Sequence, residues 1–223
     1  MPSILLIRHA QASFGSADYD VLSDTGHAQT AALVAGLERR GIRADQVVSG
    51  GLRRQRDTAE PCASAVAVPL QIDERWDEYE DRDILTHHSE VAAGLEHLPG
   101  DAPLSSRAFQ EILNQALAGW IEAGERSHSQ ETWDQFSTRT QGALSDLAGS
   151  LGKGQTALVI SSGGVIAALC AALMGLPPTA LIAFNHVSIN TGIAELTVGR
   201  GGITLVSSNE HAHLEEAGRL TGR

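Results

Sequence analysis

The hydrophobic pattern of the chain alternates between short apolar runs and longer stretches with a helical period. The run at 3–9 is almost continuously apolar, as expected for a strand that is covered on both faces. Together, the apolar runs predict strands over 3–9, 156–161, 191–198 and 203–209, a short strand that runs into a Gly turn over 45–51, and a strand with its exit over 70–79. The periodic stretches between them predict helices over 22–41, 52–68 and 164–175. Pro61 lies inside the second of these helices and favours a kink or an early end there.

The middle of the chain, about 84–150, differs because it is helical in pattern throughout. We expect it to form an insertion of helices beside the sheet, part of which would cover a site. Elsewhere strands and helices alternate, and the Gly-rich turn at 199–202 predicts a hairpin between the last two strands. This order favours an α/β fold, a three-layer α/β/α sandwich with a mainly parallel central sheet. No linker interrupts the pattern, so residues 1–223 are predicted to form one domain.

Composition places the chain among ordinary globular proteins, because 42% of its 223 residues are hydrophobic and 19% are charged. Its apolar runs are too short to span a bilayer, and no basic segment precedes the first strand. We therefore expect neither a membrane span nor a secretory signal. Cys62 and Cys170 lie far apart in helical patterns, which favours reduced, buried thiols in a cytoplasmic protein.

The formal net charge of −11 makes nucleic acid and anionic membranes poor partners for this protein. An acidic protein can still bind a small anion if its cations are gathered locally. Arg53, Arg54 and Arg56 lie together after the second predicted strand, and Arg8 ends the first. We assign Arg53 and Arg56 to a solvated helix face, and retain Arg8 and Arg54 as candidate ligands of an anion.

Polar residues gather directly after the strands that are predicted to be parallel. Because ligands of open α/β sheets bind beyond the carboxyl ends of strands, these residues are candidates for one site. The first strand leads to Arg8, His9, Gln11 and Ser13, the second to the arginine group, the third to several acids that include Glu78, and the fourth to Ser162, Gly163 and Gly164. The predicted site thus holds a histidine, two arginines, a carboxylate and the start of a helix.

This combination of groups suits phosphoryl transfer. Arginine binds phosphate oxygens in a bidentate manner and stays charged, and the helix that begins after Ser162 offers free N–H groups and a favourable dipole. A neutral imidazole can attack phosphorus, and a nearby carboxylic acid can protonate the leaving oxygen. Positioning and charge stabilisation supply most of the catalysis in such reactions.

Three segments resemble motifs of the histidine phosphatase superfamily, whose fold is also called phosphoglycerate mutase-like. The segment LLIRHAQAS (5–13) is similar to its Arg-His-Gly signature, and LSDTGHAQTAAL (22–33) to its Leu-Thr-x-x-Gly-x-x-Gln-Ala helix start. The segment SGGLRRQRDTAE (49–60) is similar to its Ser-x-x-Leu-x-Arg-Ala-x-x-Thr-Ala sequence. The order and rough spacing agree with the family, and the resemblance spans about the whole chain.

The resemblance implies a role for each candidate residue. It makes His9 the nucleophile that becomes phosphorylated, Arg8 and Arg54 the clamp on the phosphoryl group, and Glu78 the proton donor. Two neighbouring acids, Glu74 and Glu80, compete with Glu78 for that role. The resemblance implies no metal and no cofactor. The residues expected to contact the phosphate or the substrate are Arg8, Arg54, Gln11, Ser13, Ser162 and Gly163.

Two departures from the family pattern matter for the phosphate pocket. Ala10 stands where the family usually has glycine, and we expect its methyl group close to the phosphate pocket with a modest effect. Ser162 stands where the family has the histidine of a Ser-His-Gly-Gly strand end. Serine gives one hydrogen bond and no positive charge, and losing a preorganised donor can cost on the order of 10²–10³ in rate. The chain resembles a bacterial branch with Ser-Gly-Gly at this strand end, in which serine would be the normal residue.

The leading hypothesis is a metal-independent phosphomonoesterase that hydrolyses a small phosphorylated metabolite through a phosphohistidine at His9. Phosphoglycerate mutase-type transfer is the nearest alternative, but the missing second histidine would weaken a mutase most. A non-catalytic anion-binding or regulatory protein that keeps the fold is the alternative from another class, and Ser162 is its main support. The sequence leaves the substrate and the oligomeric state open.

Other interpretations of single residues explain less of the sequence. Ser162 could be the nucleophile of a serine hydrolase with Glu210 and His211 or His213, but this leaves the arginine–histidine pair after the first strand unexplained. His211 and His213 could instead bind a metal, although a polar tail is the simpler account. Three further histidines have an open role near the site: His87, His88 and His186.

Overall fold

The strands follow the apolar runs of the sequence, with one exception. The computed structural model describes residues 1–13, 20–89, 106–215 and 219–222. Within these residues the strands are β1 (Ser3–Arg8), β2 (Gln46–Ser49), β3 (Leu70–Ile72), β4 (Thr156–Ser161), β5 (Ile193–Gly199) and β6 (Gly202–Glu210). They form one sheet in the order β3-β2-β4-β1-β5-β6.

Four strands of the sheet run parallel, and two run against them. β1 pairs in parallel with β4, β4 with β2, and β2 with β3. β5 is antiparallel to β1, and β6 is antiparallel to β5, which confirms the predicted hairpin at 199–202. The carboxyl ends of β1 to β4 consequently meet at one edge of the sheet, which is where the candidate residues begin.

Helices cover both faces of this sheet. In chain order they are α1 (Asp24–Arg39), α2 (Arg53–Val66), α3 (Asp81–His88), α4 (Ser106–Ala123), α5 (Trp133–Ser150), α6 (Gly163–Leu173) and α7 (Ala180–His186). Alternate side chains of β1 enter two separate cores. Ile4 and Leu6 pack with α3 to α7, whereas Leu5 and Ile7 pack with α1 and α2. The arrangement confirms the three-layer α/β/α sandwich with a mainly parallel sheet.

Of the strand and its exit that are predicted over 70–79, the strand itself covers Leu70–Ile72. The carboxylate of Asp73 accepts a hydrogen bond from the backbone amide of Arg75, and a 3₁₀ turn follows over Glu74–Trp76. The apolar pattern does not mark where the strand ends, because Trp76 is buried by the helical core rather than by strand pairing.

Pro61 does not end its helix, since α2 continues to Val66. The proline removes the hydrogen-bond donor that the carbonyl of Asp57 would use. Pro61 lies on the exposed side of α2, so water can satisfy that carbonyl. The predicted early end is therefore wrong.

Helices of the middle region meet around a cluster of four buried aromatic rings. The ring centroid of Trp120 on α4 lies 5.5 Å from that of Trp133 and 5.5 Å from that of Phe136, both on α5. The ring of Tyr79 lies 5.7 Å from Trp120 and 5.7 Å from Phe136. Residues 90–105 of the predicted insertion lie outside the described residues, and the assignment of the whole chain to one domain stays a prediction.

Both cysteines are free and buried, as the sequence predicts. Burial raises the pKa of the Cys62 thiol to about 12 and that of the Cys170 thiol to about 11. Both thiols are therefore protonated and poorly nucleophilic at neutral pH. No helix in the described part of the chain is long and apolar enough to cross a membrane.

Candidate active site

The imidazole of His9 lies directly after β1 and is almost fully buried. Its Nε2 is 3.2 Å from Nε of Arg54, and its Nδ1 is 2.7 Å from the carbonyl oxygen of Ala10. A guanidinium can only donate, so Nε2 must accept, and Nδ1 must carry the proton that is donated to Ala10. The ring is therefore neutral, and its unprotonated nitrogen faces Arg54.

The first turn of α2 brings Arg54 to this nitrogen because the turn is tied to β1. The backbone amide of Ala10 donates to Oγ1 of Thr58 at 3.0 Å, and this hydroxyl donates to the carbonyl of Arg54 at 2.7 Å. Asp20 accepts from Nη1 of Arg54 at 2.6 Å and from the backbone amide of Arg53 at 2.7 Å. A carboxylate is favourable at a helix N-terminus, so Asp20 caps α2 and also holds the Arg54 guanidinium.

Arg8 and the backbone of His9 are held by segment 188–191, which follows α7. The Arg8 guanidinium donates to the carbonyl of Ser188, and the backbone amide of Thr191 donates to the carbonyl of Arg8 at 3.1 Å. The side-chain amide of Asn190 donates to the carbonyl of His9 at 3.1 Å. These bonds place the charge of Arg8 at a defined position next to His9.

The two glycines after β4 allow charged side chains to approach the start of α6. The backbone amide of Gly164 donates to Oε2 of Glu78 at 2.9 Å, and a Cβ on Gly164 would overlap the other carboxylate oxygen. A Cβ on Gly163 would lie 3.4 Å from Nε of Arg8 and 2.5 Å from the amide oxygen of Asn185. Glycine is therefore needed at both positions, and the N-terminus of α6 contacts both Arg8 and Glu78.

Glu78 is the acid of its segment that reaches α6. Arg139 of α5 donates to two backbone carbonyls of the turn before Glu78, at 2.9 and 2.8 Å, and so fixes the position of that turn. The competing acids point elsewhere, because Glu80 caps α3 and Glu74 is exposed in the 3₁₀ turn. The geometry thus favours Glu78 over its neighbours as the candidate proton donor.

Gln11 and Ser13 lie on the side of the site that faces α1. The side-chain oxygen of Gln11 accepts from the hydroxyl of Ser23 at 2.8 Å, and its backbone amide donates to Gln29 at 2.9 Å. The backbone amide of Ser13 donates to the carbonyl of Val21 at 2.8 Å. These bonds hold the chain after His9 against the start of α1. A contact of either side chain with phosphate stays a prediction.

Residues near position 221 pack against the same strand end. Nε2 of Gln29 donates to Oγ1 of Thr221 at 2.7 Å and to the carbonyl of Arg219 at 2.7 Å. The Thr221 hydroxyl donates in turn to the side-chain oxygen of Asn190 at 3.0 Å, and Asn190 holds the carbonyl of His9. A chain of hydrogen bonds thus connects this segment to His9, and no sequence motif indicated it.

The hydroxyl of Ser162 is fully buried and accepts a hydrogen bond from Nε2 of Gln55 at 2.9 Å. The histidines that a serine hydrolase would need have other partners, because His211 contacts a backbone carbonyl at 2.6 Å and His213 contacts Thr191 at 2.9 Å. The geometry gives the serine-hydrolase alternative no hydrogen-bonded base. In the described part of the chain, no three or more His, Cys, Asp or Glu side chains are grouped so that they could hold a metal ion.

The other histidines considered from the sequence lie at helix ends. His87 pairs with Asp83 at 3.5 Å within α3, and His88 contacts the hydroxyl of Ser127 at 2.7 Å. Burial lowers the pKa of His88. His186 is exposed at the end of α7, so the geometry does not make it a substitute for an imidazole at position 162.

Known proteins that resemble this chain are phosphatases. Over 187 residues it is 29% identical to the glucosyl-3-phosphoglycerate phosphatase of Mycolicibacterium vanbaalenii, with 78% of this chain and 75% of that protein covered. Its fold is similar to that of a mutant phosphoserine phosphatase from Entamoeba histolytica solved with phosphoserine (TM-score 0.66, 21% identity, 96% of this chain and 100% of that chain). It is also similar to the native mycobacterial glucosyl-3-phosphoglycerate phosphatase (TM-score 0.63, 22% identity, 94% and 99%). The likeness of the structures shows that this chain shares the fold of these phosphatases.

A family model identifies the superfamily. The model of the histidine phosphatase superfamily (branch 1) matches residues 4–211. The chain belongs to this superfamily, which confirms the resemblance of its three motifs. The match concerns the family as a whole and does not bear on the serine at position 162.

Proposed function

We propose that the chain hydrolyses the phosphate monoester of a small metabolite through a phosphohistidine at His9, without a metal ion. The observation that carries the proposal is the 3.2 Å contact between Nε of Arg54 and Nε2 of His9. It brings an unprotonated nitrogen, which accepts the N–H of Arg54 in this structure, next to a cation that can bind phosphate oxygens. A cytoplasmic location and the expectation of no nucleic-acid or membrane partner stay predictions from the sequence.

In the first half-reaction, the lone pair on Nε2 of His9 attacks phosphorus and the P–O ester bond breaks. Glu78 in its protonated form gives its proton to the leaving alcohol oxygen. Arg8 and Arg54 stabilise the charge on the non-bridging phosphoryl oxygens, which is the main catalytic requirement of phosphoryl transfer. The Nδ1 proton stays on the ring, where the carbonyl of Ala10 stabilises the positive charge that develops.

In the second half-reaction, water attacks the phosphorus of the phosphohistidine. The Glu78 carboxylate takes one proton from that water, and the P–N bond breaks. This step releases inorganic phosphate and restores neutral His9 and protonated Glu78. A mutase would instead return the phosphoryl group to an alcohol, so the product distinguishes the two reactions.

Replacing the nucleophile tests the proposal directly. We expect wild-type protein in EDTA to hydrolyse p-nitrophenyl phosphate, and His9→Ala to abolish the turnover. His27→Ala is the matched control, because His27 is exposed on α1, and it should keep wild-type activity. After reaction with a ³²P-labelled substrate and a rapid quench without acid, the wild type should contain an acid-labile phosphoprotein. His9→Ala should contain none.

The same assay tests Glu78 as the proton donor and distinguishes the phosphatase from the mutase and the non-catalytic protein. Glu78→Gln should slow hydrolysis of an alkyl phosphate by about 10²–10⁴-fold, whereas Glu80→Gln should not. Phosphate release without transfer to added alcohols separates a phosphatase from a mutase. Wild-type protein that binds phosphate but shows neither turnover nor a labelled histidine would contradict the proposal and support a non-catalytic anion-binding protein.

A further inference from the structure

Gln55 is a fully buried polar side chain in the first turn of α2, directly after Arg54. Its Oε1 accepts from the backbone amide of Leu52 at 3.3 Å. Its Nε2 donates to the carbonyl of Trp76 at 3.2 Å and to the hydroxyl of Ser162 at 2.9 Å. A donor faces the oxygen and an acceptor faces the nitrogen, so these partners fix the orientation of the carboxamide.

This orientation determines what the Ser162 hydroxyl can do. A hydroxyl has one proton and two lone pairs. One lone pair of Ser162 is used by the N–H of Gln55, so the proton must point in another direction. Ser162 is the N-cap residue of α6 and precedes Gly163, whose backbone lies against the guanidinium of Arg8. The hydroxyl proton, which is not directed at Gln55, therefore belongs to the residue directly before the Gly163–Arg8 contact.

The two positions also depart together from the family motifs. Gln55 falls where the Ser-x-x-Leu-x-Arg-Ala-x-x-Thr-Ala motif has alanine, and Ser162 falls where the strand end has histidine. In this chain the larger side chain at position 55 faces the smaller one at position 162 across a 2.9 Å hydrogen bond. The backbone next to this pair is adapted to it, because a Cβ on Gly50 would overlap Oε1 of Gln55.

We propose that Gln55 is a positioning residue that holds Ser162 as a hydrogen-bond donor to the bound phosphoryl group. The inference rests on the proposed function for the identity of the anion, and it adds the group that makes serine a working replacement for the imidazole. Gln55 itself does not contact the substrate. Its whole effect on anion binding is transmitted through Ser162.

A double-mutant cycle tests this coupling with orthovanadate as the probe. The dissociation constant is measured by isothermal titration calorimetry for wild type, Gln55→Met, Ser162→Ala and the double variant. Loss of a hydrogen bond to a charged group should make Ser162→Ala bind about 10- to 100-fold more weakly. Gln55→Met should bind several-fold more weakly, and the double variant no more weakly than Ser162→Ala. Gln46→Met, the same exchange at the start of β2, should bind as the wild type does.

Additive losses in the cycle would overturn the inference, because Gln55 would then act independently of Ser162. If Gln55→Met does not fold, Gln55→Glu replaces it, since a carboxylate would accept the Ser162 proton. Its effect should then be larger in the wild-type background than in the Ser162→Ala background. If the binding losses are not additive but the protein shows no turnover, only the proposed function is contradicted. If the protein shows turnover but the binding losses are additive, only this inference is contradicted. Failure of the wild type to bind orthovanadate would contradict both proposals.

Discussion

Replacing Ser162 by histidine tests whether Gln55 occupies the space that an imidazole would need. The Ser162 side chain is fully buried, and Nε2 of Gln55 lies 2.9 Å from its hydroxyl oxygen. An imidazole at this position extends well beyond that oxygen, so the Gln55 carboxamide must move. Its movement would also break the hydrogen bonds with Leu52 and Trp76.

The cost of the replacement follows from these contacts. A buried polar group left without its partner costs about 1–3 kcal/mol, and overpacking a core costs about 1–3 kcal/mol. Because the displaced carboxamide can regain some bonds, we expect Ser162→His to lower the free energy of unfolding by roughly 2–4 kcal/mol. For a chain of 223 residues, this corresponds to a Tm lower by about 5–15 °C.

Adding Gln55→Ala should make room for the imidazole. We expect the double variant to have a higher Tm than Ser162→His alone and a higher turnover of p-nitrophenyl phosphate. Thermal unfolding and steady-state kinetics of the two single variants and the double variant measure both effects. A wild-type Tm for Ser162→His, or a double variant destabilised by the sum of the single effects, would refute the packing argument.

Two further predictions concern charged and titratable groups near the site. Asp20→Asn keeps a cap on α2 but removes the negative charge that faces Arg54. The KM for a phosphate ester should therefore fall by about 2- to 10-fold at low salt. An unchanged KM in steady-state kinetics would argue against competition between Asp20 and the substrate for Arg54. Burial, helped by neighbouring cationic groups, lowers the pKa of His213 from 6.5 to about 4. As the pH falls below 6.5, the unfolded chain binds a proton that the folded chain does not, so stability should decrease by about 1–2 kcal/mol between pH 6.5 and 4 for this partly exposed ring. His213→Asn should flatten the urea-unfolding profile over that range while His211→Asn should not, and equally steep profiles would contradict the assignment.

The fold could be predicted because its central strands are buried on both faces. β1 and β4 appear in the sequence as continuous apolar runs, and the observed bounds of α1 lie within two residues of the prediction. The extent of β3 could not be predicted from the same pattern. Trp76 and Tyr79 are apolar positions whose burial comes from helices distant in sequence, and local periodicity does not distinguish that burial from strand pairing.

Some residues of the candidate site could be predicted from the local sequence, and others could not. Arg8, His9 and Arg54 follow strands and lie in motifs, so their convergence could be expected. Asp20 and Gln55 have partners that are 34 and 107 positions away, and the helical pattern around Gln55 does not indicate its partner. Such contacts exist only after the elements have packed, and a single sequence contains no signal that pairs their members.

Hydrogen bonds of Asn190 and Thr221 join a late-synthesised part of the chain to the end of its first strand and to α1. Asn190 and His9 are 181 positions apart, and Thr221 and Gln29 are 192 positions apart. During translation, His9 leaves the ribosome long before the groups that hold its backbone. The nascent chain therefore carries an unassembled site until nearly the whole described sequence has emerged, and contacts of such long separation are slow to form. A ribosome-bound fragment would lack these contacts even if β1 to β4 had already paired.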